Sequence, residues 1–206
     1  MAHAPSLWRG PTPLLLASTS PTRRGLLDSA AIAVETRPPG VDERAVEAAA
    51  EGLSPESLAG RLAAAKAAAV AASAPDRVVI GADQVLDLDG TVFHKPADRV
   101  GAAAHLARLQ GRTHALHSAV ALAVDGAVVD GFVVTARLTM RPLDEAGIAA
   151  YLDAAGPAVA GSVGAYQLEG AGIHLFDRIE GDHSTILGLP LLPLLARLRG
   201  RGLLAF

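Results

Sequence analysis

One segment, THALHSAVALAVDGAVVDGFVVTARLTM, constrains the fold more than any other stretch of this chain. It reads as two long apolar strands joined at Asp125-Gly126, a dipeptide suited to the positive φ angles of a two-residue hairpin. Before it, strands and helices alternate. An antiparallel hairpin set into such an alternation argues for a mixed-sheet α/β domain.

The alternation can be followed through its punctuation. Leu14–Ala17 reads as a buried strand, and Ser20-Pro21 as a cap and first residue of a helix running to Ala30. A short strand, 33–36, leads into the turn-rich RPPGVDE. LSPESLAGRLAAAKAAAVAASAPD follows as a helix capped by Ser54, with Pro55 and Glu56 in its first turn. VVIGADQVLDL is an apolar strand interrupted by Gly81 and Asp83, its buried stretch VVIGA reading as ended by Asp83, and Asp89-Gly90 turns the chain back through TVFH. KPADRVGAAAHLARLQG and LDEAGIAAYLDAAGP supply further helices, ended by Gly111 and by Gly156-Pro157. The last third is a glycine-rich loop, a short strand and a closing helix over 190–199. Residues 1–12 are expected to be a mobile leader ahead of a single domain spanning 1–206.

Half of the 206 residues are hydrophobic and 19% are charged, so the chain can bury a core and is not a disordered one. A net charge of −3 with no block of like charges argues against a nucleic-acid surface, yet leaves room for a small anion held by a few placed cations. The absence of cysteine excludes disulfides, thiolate zinc sites and a cysteine nucleophile. Neither a signal peptide nor a membrane span is evident, so a soluble cytoplasmic protein is expected.

Against this background the arginine pair in LLLASTSPTRRGLL stands out. Arg23 and Arg24 fall in the first turn of their helix, where cations typically cost about 0.3–1 kcal/mol each beside the positive end of the dipole. The arrangement suits a polyphosphate, which would meet both the guanidinium groups and the free N–H groups of the helix end. The alternative is a pair of side chains extended into screening solvent. Asp83 poses a second choice, since a carboxylate that has left water must be paired, protonated or bound to metal. Gly81 beside it would let a ligand or another backbone come close. A loop carboxylate such as Glu43 could join Asp83 as an oxygen ligand for magnesium; otherwise Asp83 simply accepts from nearby backbone N–H groups. Lys66, one turn beyond Leu58 and Leu62, either covers the core edge while its ammonium reaches water or faces a phosphate. Lys95, anchored by Pro96, carries the same two readings.

Other motifs fail. No GxxxxGK[ST] or GxGxxG is present, and Ser162 in GSVG is no nucleophile elbow. His114 and His117 would point to opposite faces of a strand, which argues against a shared metal.

In their order along the chain, LLLASTSPTRRGLL, VDE, LAAAKA, VVIGADQV, HKP, LQGRTH, GSVGAYQLEG and RIEG-x₆-GLPL resemble the Maf-like nucleotide pyrophosphatases, also known as septum formation inhibitors. The resemblance runs from about Leu14 to about Leu198. It implies an elongated mixed sheet flanked by helices, akin to the inosine-triphosphate pyrophosphatases, and often a homodimer. It also implies hydrolysis of a nucleoside triphosphate to the monophosphate and pyrophosphate with a divalent cation, Mg²⁺ or Mn²⁺. The family's functional residues fall on Ser18, Arg23, Arg24, Glu43, Lys66, Asp83 and Lys95. Glu43 and Asp83 would then be metal ligands, with Asp83 alternatively the proton acceptor for the attacking water.

Substrate preference is expected to turn on Thr22, Gln84 and Glu169. SPTRR, ADQ and LEG are nearer to the branch acting on 7-methyl-GTP than to the branch preferring dTTP and UTP. A Glu169 carboxylate could accept from guanine N1–H and N2–H₂. Thr22, where the methyl-GTP branch resembles SPWRR, cannot stack on a cationic base, and Gln167 departs from that branch too. The expectation is therefore a purine-leaning pyrophosphatase with 7-methyl-GTP as lead candidate. A dTTP/UTP enzyme and a nucleotide-responsive regulator of cell division remain the alternatives; the second would need no water-activating carboxylate.

Overall fold

The computed structural model describes residues 6–206. Strands β1 (Leu14–Ala17), β2 (Val34–Thr36), β3 (Val79–Leu88), β4 (Thr91–Phe93), β5 (Thr113–Val124), β6 (Ala127–Met140) and β7 (Phe176–Glu180) make one sheet in the order β2-β1-β3-β5-β6-β7, with β4 also on β3. The first two pairings are parallel and all others antiparallel, so the sheet is mixed as the hairpin implied. Both Asp-Gly turns have positive φ at each residue, the geometry that matches the twist of the strands they join.

Helices α1 (Pro21–Ser29), α2 (Glu43–Ala48), α3 (Pro55–Ala71), α4 (Arg99–Leu109), α5 (Glu145–Ala155), α6 (His183–Ile186) and α7 (Leu191–Gly200) flank the sheet. Ser20 and Ser54 cap α1 and α3 through their hydroxyls, each followed by proline. The alanine-rich α3 packs Ala59, Ala63, Ala67 and Ala71 against Leu15, Val79, Ala119 and Ala121. Small side chains let this helix come very close to the sheet. A Cβ on Gly81 would lie 2.2 Å from the Ala63 carbonyl oxygen, so of the two uses open to this glycine the structure selects backbone approach. Overpacking of this kind typically costs about 1–3 kcal/mol. A second core lies on the other face, from Leu14, Leu16 and Ile80 to Leu194 and Leu198. A third joins α4 and α5 to the turns that follow them.

Three expectations are corrected. Residues 6–12 are anchored rather than a mobile leader: Trp8 is buried, bridges to Leu204 and donates from its indole to the Thr12 carbonyl at 2.6 Å. The remainder of that leader, 1–5, lies outside the described residues. Glu43 is not in a loop but begins α2, because Asp42 accepts from the Ala45 amide and caps a short helix there. Asp83 does not end its strand; it lies in the middle of β3.

The last correction locates the site. On one edge β3 pairs with β1 over Val79–Gly81 and with β4 over Leu86–Leu88. Between them, residues 82–85 have no strand partner on that side, and a cleft opens at the gap.

Candidate active site

The cleft has a volume of about 1230 Å³, enough for a nucleotide, and is lined by segments far apart in sequence. Ser18, Thr22 and Arg23 come from the β1–α1 junction, Glu43 from α2, Lys66 from α3, Asp83 and Gln84 from β3, Lys95 from beyond β4, and Glu169 from the loop before β7. Of the residues expected to form a site, one is left out. Arg24 points away, with its Nε 3.4 Å from Asp28 and more than half of its side chain exposed. A helix turns about 100° per residue, so neighbours in sequence seldom face the same ligand.

The charged end of the cleft is organised around Lys66. Lys66 is 7% exposed, and its ammonium lies 2.5 Å from Asp83 Oδ1 and 2.7 Å from Glu43 Oε1. The ammonium does not reach out to water; this cation bridges two carboxylates. Burial pushes the Asp83 carboxyl above the ordinary aspartate range; Lys66 and Arg23 oppose the rise, and Glu43 adds to it. Asp83 is thus a carboxylate with enhanced proton affinity, held by one oxygen. Among the described residues no third carboxylate or imidazole completes a metal cluster with this pair.

Arg23 is oriented by backbone. Its Nε donates to the Gly188 carbonyl and one terminal nitrogen to the Ala82 carbonyl, each at 2.9 Å. The second acceptor is free because residue 82 falls in the gap beside β3. Burial pulls the guanidinium below its usual value while Asp83 and Glu43 push the other way. Among the described residues, the remaining N–H groups of the fork have no hydrogen-bond acceptor.

The other end is built from loops. The segments between short 3₁₀ turns at Gly156–Gly161, Val163–Ala165 and Ala171–Leu175 carry Ser162, Tyr166 and Glu169, with Glu169 exposed at the margin. Tyr166 is fastened to the sheet through its hydroxyl, 2.7 Å from His114 Nε2. Burial drops the His114 imidazole to about 4, so it is neutral. His117 goes to a different partner, Thr135, at 2.8 Å, as strand alternation requires. Gln84 Nε2 donates to Ser118 Oγ at 2.8 Å and to the carbonyls of Ile186 and Thr185 at 2.9 and 3.2 Å. Those acceptors fix the amide with its nitrogen inward; among the described residues the Gln84 carbonyl oxygen has no partner, and it is accessible.

Sequence reasoning did not find Ser118, Tyr166, Gly188 or the Thr185 and Ile186 carbonyls. Backbone acceptors carry no side-chain signature, and only the Asp182-x-Ser-Thr spacing, a capping pattern, could have flagged the turn that holds them.

A family model for Maf-like protein matches residues 13–201. The chain belongs to the Maf-like proteins. Its curated relatives in this family include a nucleoside triphosphate pyrophosphatase of Nitrobacter hamburgensis, 55% identical over 200 residues, covering 97% of this chain and 99% of the relative. A 7-methyl-GTP pyrophosphatase of Rhizobium etli is 53% identical over 191 residues, covering 92% and 96%. Among solved structures, a nucleoside-triphosphatase (dITP/XTP pyrophosphatase) of Mycobacterium abscessus is 18% identical, with a TM-score of 0.43 over 93% of this chain and 96% of that one. At that level of similarity the fold description rests on the strand pairing alone. Among the described residues of this Maf-like chain, no helix is long and apolar enough to cross a membrane.

Proposed function

We propose that this chain is a nucleoside triphosphate pyrophosphatase, cleaving the α–β phosphoanhydride to release the monophosphate and pyrophosphate. The observation that carries the proposal is the meeting of Arg23, Lys66, Lys95, Glu43 and Asp83 in one nucleotide-sized cleft. Relatives more than half identical over nearly their whole length bear that activity in their names.

The chemistry follows from the charges. Arg23, Lys95 and the α1 N-terminus with Ser18 hold the triphosphate and spread the charge that develops on departing pyrophosphate. Asp83, with its proton affinity raised by burial, orients a water and takes its proton as the water oxygen attacks the α-phosphorus. The α–β bridging bond breaks, and its electron pair leaves on pyrophosphate. Glu43 and Asp83 are hard oxygen donors from separate elements, a pair that fits Mg²⁺ or Mn²⁺ completed by substrate phosphates. Such an ion, when bound, would supply Lewis-acid charge at the phosphates. Lys66 bridges both carboxylates and holds them about its ammonium.

At the base end, Gln84 and Glu169 both offer acceptors, which favours a base with a donor edge such as guanine over one presenting acceptors. Thr22 adds a small side chain that leaves room beside the base. The enzyme is purine-leaning, with 7-methyl-GTP the lead substrate, and works on the cytoplasmic nucleotide pool. As a homodimer it would sediment at twice the 21.0 kDa chain mass.

A panel of triphosphates, with Mg²⁺ and Mn²⁺ compared, tests the activity: pyrophosphate and monophosphate should appear in equal amounts, and Asp83→Asn should release neither while remaining folded. A folded wild type that releases no pyrophosphate from any member would reject the proposal. Strong UTP preference, unaltered in Glu169→Gln, would reject the base assignment alone.

A further inference from the structure

Helix α6 has only four residues, His183–Ile186, too few to repay the cost of nucleating a helical turn. One side chain holds it. Asp182 Oδ1 accepts from the Ser184 amide at 2.8 Å, the Ser184 hydroxyl at 2.6 Å and the Thr185 amide at 3.3 Å, while Oδ2 accepts from the Thr185 hydroxyl. The Ser184 hydroxyl in turn accepts from the Leu191 amide at 2.9 Å, tying the turn to α7. Burial alone would raise the Asp182 carboxyl, but these hydrogen bonds outweigh it and hold the group below its ordinary value.

The far end of the same turn faces the cleft. Its last carbonyls can take side-chain donors, as at any helix C-terminus, although that of Thr185 also accepts from the Gly188 amide at 3.0 Å. Those of Thr185 and Ile186 accept from Gln84, and that of Thr185 accepts also from the fully buried Ser118 hydroxyl at 2.7 Å. Two residues on, the Gly188 carbonyl receives Arg23. Gly188 has φ of +87°, and a Cβ there would sit 3.3 Å from the Arg23 guanidinium, so a side chain would disturb both the turn and the arginine. A single carboxylate outside the cleft thus secures the three carbonyls that aim a guanidinium at one end and an amide at the other.

We propose that Asp182 is a positioning residue, acting through the 182–188 turn to set the direction of both the Arg23 guanidinium and the Gln84 carbonyl oxygen. The inference rests on the pyrophosphatase reading for what those two groups do, but not for how they are held. Loss of Asp182 lets the carbonyls rotate, so Gln84 can present its N–H₂ group to the base and Arg23 no longer meets the phosphates squarely. Misplacement of about 1 Å in a positioning group can cost about a hundredfold in rate.

The test compares Asp182→Ala, Asp182→Asn and Thr185→Val with wild type. Readouts are kcat and KM for GTP and UTP, and the affinity for a GTP analogue with methylene replacing the α–β bridging oxygen. Asp182→Ala is expected to lower kcat/KM for GTP by about a hundredfold, to weaken analogue binding about tenfold, and to bring the GTP-to-UTP ratio toward one. Asp182→Asn keeps an acceptor for the two amides and should recover most of this. The Asn amide can still donate to the Thr185 hydroxyl oxygen, whereas Thr185→Val removes that contact and should fall between Asp182→Asn and Asp182→Ala. If Asp182→Ala does not fold, the Asp182→Asn and Thr185→Val pair carries the comparison. Variants that melt earlier but keep wild-type KM, analogue affinity and base ratio would overturn the inference. Wild type that binds the analogue without cleaving GTP would reject the pyrophosphatase reading, leaving the binding arm to judge Asp182. Wild type that neither binds nor cleaves would reject both.

Discussion

The two ends of the cleft are held by different forces. At the charged end, Lys66, Asp83 and Glu43 are fixed on one another, on a strand and two helices, with Lys66 and Asp83 each only 7% exposed. At the other end, Gln84 and Tyr166 are held by neutral hydrogen bonds, and Glu169 lies between 3₁₀ turns, exposed at the margin. Buried charges must be paired, and pairing demands accurate placement; neutral hydrogen bonds tolerate substitution at about 0.5–1.5 kcal/mol each. The reacting bond should therefore meet a rigid constellation, and the base a more adaptable one.

That contrast is open to attack from both ends. The largest effect belongs to Lys66→Met, which strands Asp83 and Glu43 against each other and should cost about 3 kcal/mol of stability in a denaturant titration. It also removes a charge that holds the Asp83 carboxyl down, so the acid limb of kcat/KM, already above the ordinary aspartate range, should move to higher pH. An unshifted limb would mean that Asp83 is not the titrating base.

Next in size is the attachment of Tyr166. His114 is neutral in the fold, with its value lowered from 6.5 to about 4, so the unfolded chain binds more protons between those values and stability falls as pH drops through that window. The full loss is about 3 kcal/mol. Thermal melts from pH 7 to 4 should show this slope in wild type and a flatter one in His114→Gln. Gln84→Ala, at the same end, should cost about 1 kcal/mol and act mainly on base preference. Equal costs for Gln84→Ala and Lys66→Met would erase the distinction between the two ends. Smallest of all is Arg24→Ala, which removes one exposed contact to Asp28 and should change kcat/KM by less than about threefold. A large loss there would show that Arg24 reaches the substrate.

The adjacent arginines also show what could be read in the sequence. Their location at a helix start was legible from Ser20 and Pro21, and so was the suitability of that end for phosphate. Which of the two faces the cleft was not, because the choice depends on carbonyls at 82 and 188. The hairpins at Asp89-Gly90 and Asp125-Gly126 and the mixed sheet followed from turn chemistry and periodicity. Helix α2 escaped notice because it buries no residue and so has no apolar stripe, although Asp42 caps it. Asp83 looked like a strand end because a carboxylate in mid-strand makes sense only beside a gap in pairing, and that gap is a property of β1 and β4 together. Likewise, the carbonyl partners of Gln84 lie about a hundred positions away, beyond the reach of local pattern.

The central claim is that this cleft directs water to the α-phosphorus. Hydrolysis of GTP in ¹⁸O-labelled water, with mass analysis of both products, addresses it directly. The account predicts label in the monophosphate and none in pyrophosphate. Label in pyrophosphate, or in free phosphate released from the γ position, would contradict it.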